Sequence, residues 1–290
     1  MPELPEVETV RSTLLPYLPG RRIERVEIRD SKVIAFPEAA RYPELLTGQR
    51  FTGLDRIGKQ LIVRLERHVL LVHLGMTGQL TFRTPERSDQ PFTRAAVTGL
   101  QRTLQHPVDK HTHISLELDD GTALHYRDIR KFGKWRLVEP WEVADELRGL
   151  GPDPLTEDFT WPEFYKALKA TRRAVKAVLL DQRVLAGVGN IYADEALFLA
   201  GLRPERSAQK LSRAAARKLY EAVPTVLRLG LANRGTSFSD YRDADGNLGS
   251  NQDQLLAYGR YGQPCTRCGT PLRRSDVAQR TSSWCPRCQR

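Results

Sequence analysis

The chain has 290 residues, more than one hydrophobic core requires, so two domains are expected. Hydrophobic residues make up 40% and charged residues 28%, and no apolar run approaches the roughly 20 residues that span a bilayer, which excludes a transmembrane helix. Lysine and arginine number 45 against 35 acids, a net charge of +10 that favours a polyanionic partner because neutralised phosphates release counterions, although a merely basic surface has the same composition.

The N-terminus opens on acids and prolines rather than a basic and then apolar stretch, so no secretory signal and a cytoplasmic protein are expected. Residues 2–15 read as a short helix: Leu4, Val7, Val10 and Leu14 follow the spacing of one buried face, and Pro5 is tolerated in a first turn. From about 21 to 138 the period switches to two, with Leu61, Val63 and Leu65, then Ile114, Leu116 and Leu118, alternating with polar residues. The apolar run 69–74 predicts a strand buried on both faces. Residues 1–138 therefore predict a β-sandwich or flattened barrel with a flanking helix. The stretch 83–110, with Pro85, Pro91 and Pro107, lacks a period and reads as a surface insertion.

A linker at 139–160 leads to helices expected at about 161–180, 191–200 and 212–232, the last bent at Pro224. Residues 233–258 read as a loop in this helical domain (161–258), and 259–290 as a separate finger. The fold class is α+β in two domains. All four cysteines lie in the finger as Cys265-x2-Cys268 and Cys285-x2-Cys288, separated by sixteen residues. Two such pairs, each on a tight turn, close a tetrahedron around one Zn2+ and leave no position for a catalytic water, so the metal is structural. Two disulfides are the alternative, disfavoured inside a cell.

The sequence Met1-Pro2-Glu3-Leu4-Pro5-Glu6 holds the first chemistry. A small residue after Met1 permits removal of the methionine, exposing a secondary amine on Pro2 whose pKa near ~8 leaves a nucleophilic fraction at neutral pH. Attack on a carbon bearing a leaving group gives an iminium with no nitrogen proton to lose, which acidifies the neighbouring carbon for elimination. Glu3 is the adjacent carboxyl and a candidate general acid. Prolines and acids also simply favour a helix start.

Further along, Lys59 reads alone as a solvated lysine at a strand edge. Met76, in His73-Leu74-Gly75-Met76-Thr77-Gly78, is either core or a flexible apolar tip able to enter the gap left by a flipped base. Arg130 offers a fork for the Watson–Crick edge of cytosine, and Phe132 is either core or a wedge between base pairs. His111 and His113 alternate at a strand start with no third ligand nearby, which disfavours a metal. Gly187-Val188-Gly189-Asn190 is either an ordinary interhelix turn or one whose amides approach phosphate, with Asn190 placed to cap the next helix. The preceding helix carries Arg172, Arg173 and Lys176, and Arg280 lies in the hairpin between the cysteine pairs.

In this order, the landmarks resemble the formamidopyrimidine-DNA glycosylase and endonuclease VIII family over nearly the whole chain outside 83–110. Leu4 resembles the glycosylase branch, since endonuclease VIII usually has glycine there. The resemblance implies a base-excision-repair enzyme that removes oxidised purines from duplex DNA and cleaves the abasic site by β,δ-elimination. It implies Pro2 as nucleophile, Glu3 as acid, and Lys59 and Arg280 on the phosphates around the lesion. His111, Lys176 and Asn190 are then expected on the DNA backbone, with Arg172 in place of a family lysine whose position here is Thr171, and Met76, Arg130 and Phe132 in the gap of the flipped base. The segment 235–253 would close over 8-oxoguanine. One zinc on Cys265, Cys268, Cys285 and Cys288, a partner of double-stranded DNA with oxidised purines or abasic sites, no membrane, and a monomer at the nucleoid complete the expectation. An endonuclease VIII-like enzyme for oxidised pyrimidines and a catalytically silent DNA-binding relative stay open as alternatives.

Overall fold

Leu4, Val7, Val10 and Leu14 are fully buried along one face of α1 (Leu4–Leu14), with Pro5 in its first turn. The computed structural model describes residues 1–84, 108–238 and 240–290, so the expected insertion lies, from 85 to 107, outside the described residues. Two units form. One holds Met1–Arg148 together with Asn233–Gln252, the other Gly149–Ala232 together with Asp253–Arg290.

In the first unit the strands are β1 (Ile23–Ile28), β2 (Ile34–Phe36), β3 (Phe51–Ile57), β4 (Gln60–Leu65), β5 (Val69–His73), β6 (Gly78–Arg83), β7 (Thr112–Leu118), β8 (Ala123–Asp128) and β9 (Lys134–Val138), with the short helices α2 (Tyr42–Leu46) and α3 (Val143–Glu146) between and after them. They make a four-stranded sheet, β1-β7-β8-β6, and a five-stranded sheet, β2-β9-β5-β4-β3. Only β2 against β9 is parallel among these pairs. Leu61, Val63 and Leu65 meet Ile114, Leu116 and Leu118 in one core with Val7, Val10 and Leu14 of α1, as the two-residue period predicts. Strand β5 is buried on both faces, because Leu70 and Val72 enter this core while Val69 and Leu71 join Ile62 and Val138 under Val143 and Leu147.

Residues 233–252, expected in the helical domain, pack into this sheet unit. Phe82 N donates to Ala244 O at 2.8 Å and Ser250 N to Asn233 O at 2.9 Å, so the segment pairs its own ends and the edge of β6.

The second unit contains α4 (Trp161–Lys169), α5 (Val175–Leu180), α6 (Asn190–Ala200) and α7 (Arg213–Ala232), with Pro224 inside α7. The single helix expected over 161–180 is broken. Thr171 Oγ1 accepts from Arg173 N at 3.2 Å, a local bond that competes with the helical ladder. The carbonyls of Thr171 and Arg173 turn to Gln209 N and Ala208 N instead. The finger closes as the hairpin β10 (Arg273–Val277) and β11 (Arg280–Trp284). Its apolar support is small, chiefly Phe198, Ala257 and Leu272 beside Cys265 and Cys285. A two-stranded hairpin by itself is marginal in water, so the metal site and the packing of β11 on α6 hold the finger together.

Candidate active site and nucleic-acid interface

The start of α1 is held from several sides within the sheet unit. Pro2 and Glu3 are buried, and Glu6, 1% exposed, turns its carboxylate back on the helix start. Glu6 Oε2 accepts Glu3 N at 2.8 Å, the backward half of a capping box. Its other oxygen accepts Thr236 N at 2.7 Å, and Tyr241 Oη donates to Arg234 O at 3.1 Å and to Glu6 O at 3.3 Å. One buried carboxylate therefore ties the Pro2–Glu3 segment to the 234–241 loop. Gly235 makes the approach possible, because its φ is +84° and a Cβ there would lie 2.9 Å from Glu6 Cγ.

Lys59 is half-buried in the two-residue turn between β3 and β4, with Gly58 at φ +56°. The turn is also fastened to α1. Glu8 accepts from Arg11 and from Arg56 Nε at 2.9 Å, and Arg56 Nη1 donates to Gly58 O at 2.9 Å. Burial works against the Glu8 charge, yet the two guanidiniums hold its pKa below the usual value. Burial first, and the Lys59 charge second, lower the pKa of His73, whose Nδ1 accepts Gly75 N at 3.1 Å.

Met76 is half-buried, whereas Arg130 and Phe132 are exposed, with the Arg130 guanidinium 4.5 Å from the Phe132 ring centre. Fully buried Asp128 joins the two loops that carry them. Its Oδ1 accepts Thr77 Oγ1 at 2.5 Å and Arg130 N at 3.1 Å, and its Oδ2 accepts Gly133 N at 2.8 Å and Tyr126 Oη at 3.2 Å. Gly75 and Gly133 let the loops touch, since a Cβ on Gly75 would lie 2.4 Å from Gly133 N. His111 is half-buried just before β7, its amide on Asp109 Oδ1 at 2.8 Å and its pKa lowered, chiefly by burial. His113 is buried on Asp128 O at 2.7 Å, so the two histidines do not form a pair of ligands.

In the second unit the structure corrects three expectations. Lys176 is completely buried. Its ammonium lies 2.7 Å from Asp194 Oδ1, 2.5 Å from Ser282 Oγ and 3.1 Å from Thr281 O, which excludes a phosphate contact from that position. Asn190 is the first residue of α6 and not its cap, a place taken by Gly189, and Asn190 Nδ2 donates to Thr281 O at 3.1 Å. The Gly187 amide is occupied by Gln182 Oε1 at 2.9 Å. Arg172 is exposed in the break between α4 and α5, and Arg280 is exposed at the start of β11.

The four cysteine sulfurs lie within 4.8 Å of one another, with Cys265 and Cys288 4.0 Å apart and Cys268 and Cys285 3.5 Å apart. Zinc–thiolate bonds of about 2.3 Å place tetrahedral sulfurs about 3.8 Å apart, so the four fit one zinc ion, and four thiolates close its coordination. No other metal-holding group of histidine, cysteine or acid is present among the described residues.

Sequence reasoning passed over Glu6, Asp128 and Glu195. Glu195 is buried and accepts three successive amides, of Leu256, Ala257 and Tyr258, at 2.8–2.9 Å. The spacing of Glu3 and Glu6 is a capping-box signal and was readable. Asp128 and Glu195 are lone acids whose several partners meet only on folding.

Comparison with known proteins agrees along the whole chain. The family model described as the formamidopyrimidine-DNA glycosylase N-terminal domain matches residues 1–135, that of the H2TH domain residues 150–242, and a zinc finger found in FPG and IleRS residues 262–290. A formamidopyrimidine-DNA glycosylase of Moorella thermoacetica is 46% identical over 94% of both chains, and one of Herpetosiphon aurantiacus 44% identical over the full length of both. Among solved structures, a Lactococcus lactis Fpg variant in complex with Fapy-dG-containing DNA superposes with a TM-score of 0.87 at 32% identity, covering all of both chains. The MutM (Fpg) protein of Thermus thermophilus gives 0.82 at 40% identity over 99% of this chain and 98% of that one.

Proposed function

The chain belongs to the formamidopyrimidine-DNA glycosylase family, and on that premise we propose that it removes oxidised purines, 8-oxoguanine and formamidopyrimidines, from duplex DNA through the amine of Pro2 and then cleaves the abasic site. The observation that carries this reading is the start of α1, where Pro2 and Glu3 are buried and fixed by Glu6. A nucleophile held on a rigid helix start loses little freedom on reaching the reactive geometry.

Once Met1 is removed, the Pro2 nitrogen attacks C1′ of the damaged nucleotide and the glycosidic bond breaks, its electrons leaving with the base. The added nitrogen gives up its proton to the departing base, Glu3 gives one to the sugar ring oxygen, the ring opens, and the C1′–nitrogen double bond of an iminium forms. Loss of a C2′ proton expels the 3′ phosphate, and a second elimination expels the 5′ phosphate, leaving a gap with phosphates at both ends. Lys59 and Arg280 bind the phosphates around the reacting sugar, His111, Arg172 and Asn190 bind the backbone further out, and Met76, Arg130 and Phe132 fill the place of the flipped base. The zinc holds the hairpin and takes no part in the bond changes. The enzyme acts as a monomer, in the cytoplasm at the nucleoid.

Incubation with an 8-oxoguanine·cytosine duplex under borohydride tests the reading. The adduct is expected on the N-terminal peptide, Pro2→Gly is expected to abolish most of it, and chains that keep Met1 are expected to be inert. A crosslink at Lys59 contradicts the assignment of the nucleophile. Preferential excision of oxidised pyrimidines contradicts the assignment of the substrate.

A further inference from the structure

The carbonyl of Thr281, the residue after Arg280, accepts two side-chain donors from two helices: Lys176 Nζ of α5 at 3.1 Å and Asn190 Nδ2 of α6 at 3.1 Å. Both lone pairs of that oxygen are thereby engaged, and β11 is fixed at the residue beside the exposed guanidinium. The next two residues are held as well. Ser282 Oγ accepts from Lys176 at 2.5 Å, and Ser283 N donates to Asp194 Oδ2 at 3.2 Å. Lys176, Asp194, Ser282 and Ser283 are all at most 4% exposed. Burial lifts the Asp194 carboxyl to about 6, with the Lys176 ammonium pulling the other way.

We propose that the buried Lys176–Asp194 pair is a positioning device for Arg280, setting where its guanidinium meets phosphate by fixing β11 through the Thr281 carbonyl and its two neighbours. The proposal rests on the reading of Arg280 as a phosphate contact. A buried ion pair is weak evidence for stability, since apolar replacements of like volume often stabilise as well or better. An apolar pair has no donor for the Ser282 hydroxyl and no acceptor for Ser283 N, and leaves the Thr281 carbonyl to Asn190 alone, so it supports the fold while holding the strand by one of these four bonds. Lys176 and Asp194 touch no DNA and are positioning residues.

The test uses the zinc-loaded full-length enzyme and a duplex with a stable abasic-site analogue, with affinity measured against salt. Each phosphate contact adds about 0.9 to the slope of log affinity against log salt. Arg280→Ala is expected to lower the slope by about that amount. Lys176→Met is expected to lower it equally, although a fully buried ammonium releases no counterion of its own. Lys176→Met in the Arg280→Ala background is expected to change nothing further. The double variant Lys176→Met/Asp194→Leu removes the unpaired charge and is expected to restore thermal stability and zinc content but not the slope. It carries the test should Lys176→Met alone fail to fold. On an authentic abasic site the single and double Lys176 variants are expected to slow strand cleavage by up to about a hundred-fold, the cost of a misplacement of about an ångström. If Arg280→Ala leaves the slope unchanged, the reading of Arg280 fails and the proposal with it. If Arg280→Ala lowers the slope and the Lys176 variants keep it, or the double variant recovers slope and rate, the reading of Arg280 stands and the positioning device is refuted.

Discussion

Asp128 gathers three donors from two loops, and the Tyr126 hydroxyl from β8, onto one carboxylate, and those loops present Met76, Arg130 and Phe132. Met76 was legible in the sequence as a loop tip because glycines flank it, whereas Arg130 and Phe132 were joined to it by the family resemblance, a phenylalanine there reading alone as core. Asp128 was not legible, because an acid before a turn is ordinary until its partners converge. The two kinds of residue fail differently when changed. Arg130→Ala should flatten the preference for excising 8-oxoguanine opposite cytosine over adenine about ten- to a hundred-fold, the value of one lost bidentate base contact. Asp128→Asn turns an amide donor toward amide and hydroxyl donors. It should cost about 1–3 kcal/mol of stability and slow excision opposite every base alike, since it displaces the loops without reading an edge. Single-turnover excision opposite each of the four bases, with urea unfolding of both variants, separates the two. Equal loss opposite all bases for Arg130→Ala would make Arg130 a backbone or packing residue.

At the scale of elements, the two-residue period and the cysteine spacing made the sandwich and the finger legible, since both patterns follow from local geometry. The helix expected over 161–180 was misread because its break is set by backbone partners at 208–209, some forty residues away. The turn of the finger is another feature invisible in sequence. Ala278 and Gln279, between the paired Val277 and Arg280, have φ of +51° and +59°, a turn that favours Asn-Gly. A side chain in the left-handed region costs about 1–2 kcal/mol per residue, so the finger bears that strain beside Arg280. Replacing Ala278 by Asn together with Gln279 by Gly should stabilise the zinc-loaded finger by about 1 kcal/mol or more. Competition for zinc against a chelator, with strand cleavage measured in parallel, checks it. Easier zinc loss in the variant would show that the strained turn is not the weak point.

For the molecule as a whole, acid stability follows from a histidine outside the site. His125 is buried in β8 with Nδ1 2.9 Å from Ser115 Oγ, and burial, then the charges of Arg83 and Arg29, lower its pKa to about 4. The folded state thus binds fewer protons than the unfolded one between pH 6.5 and 4. Stability should fall as the pH drops through that window, by up to about 3 kcal/mol, with no further loss from this group below it. His125→Asn should lose correspondingly less between pH 7 and 4.5 in urea unfolding, and identical losses would remove His125 from the explanation. The return of residues 233–252 to the sheet unit has a consequence in time. Thr236 lies 230 residues after the carboxylate of Glu6 that receives its amide. During synthesis, at ~5–20 residues per second, the helix start therefore waits at least ten seconds or so for the loop that completes it. A nascent or truncated chain ending before that loop carries Pro2 and the sheets but leaves Glu6 Oε1 without its Thr236 amide. The order of translation thus leaves the last tie on the Glu6 carboxylate, and through it on the helix start, to the final fifth of the chain.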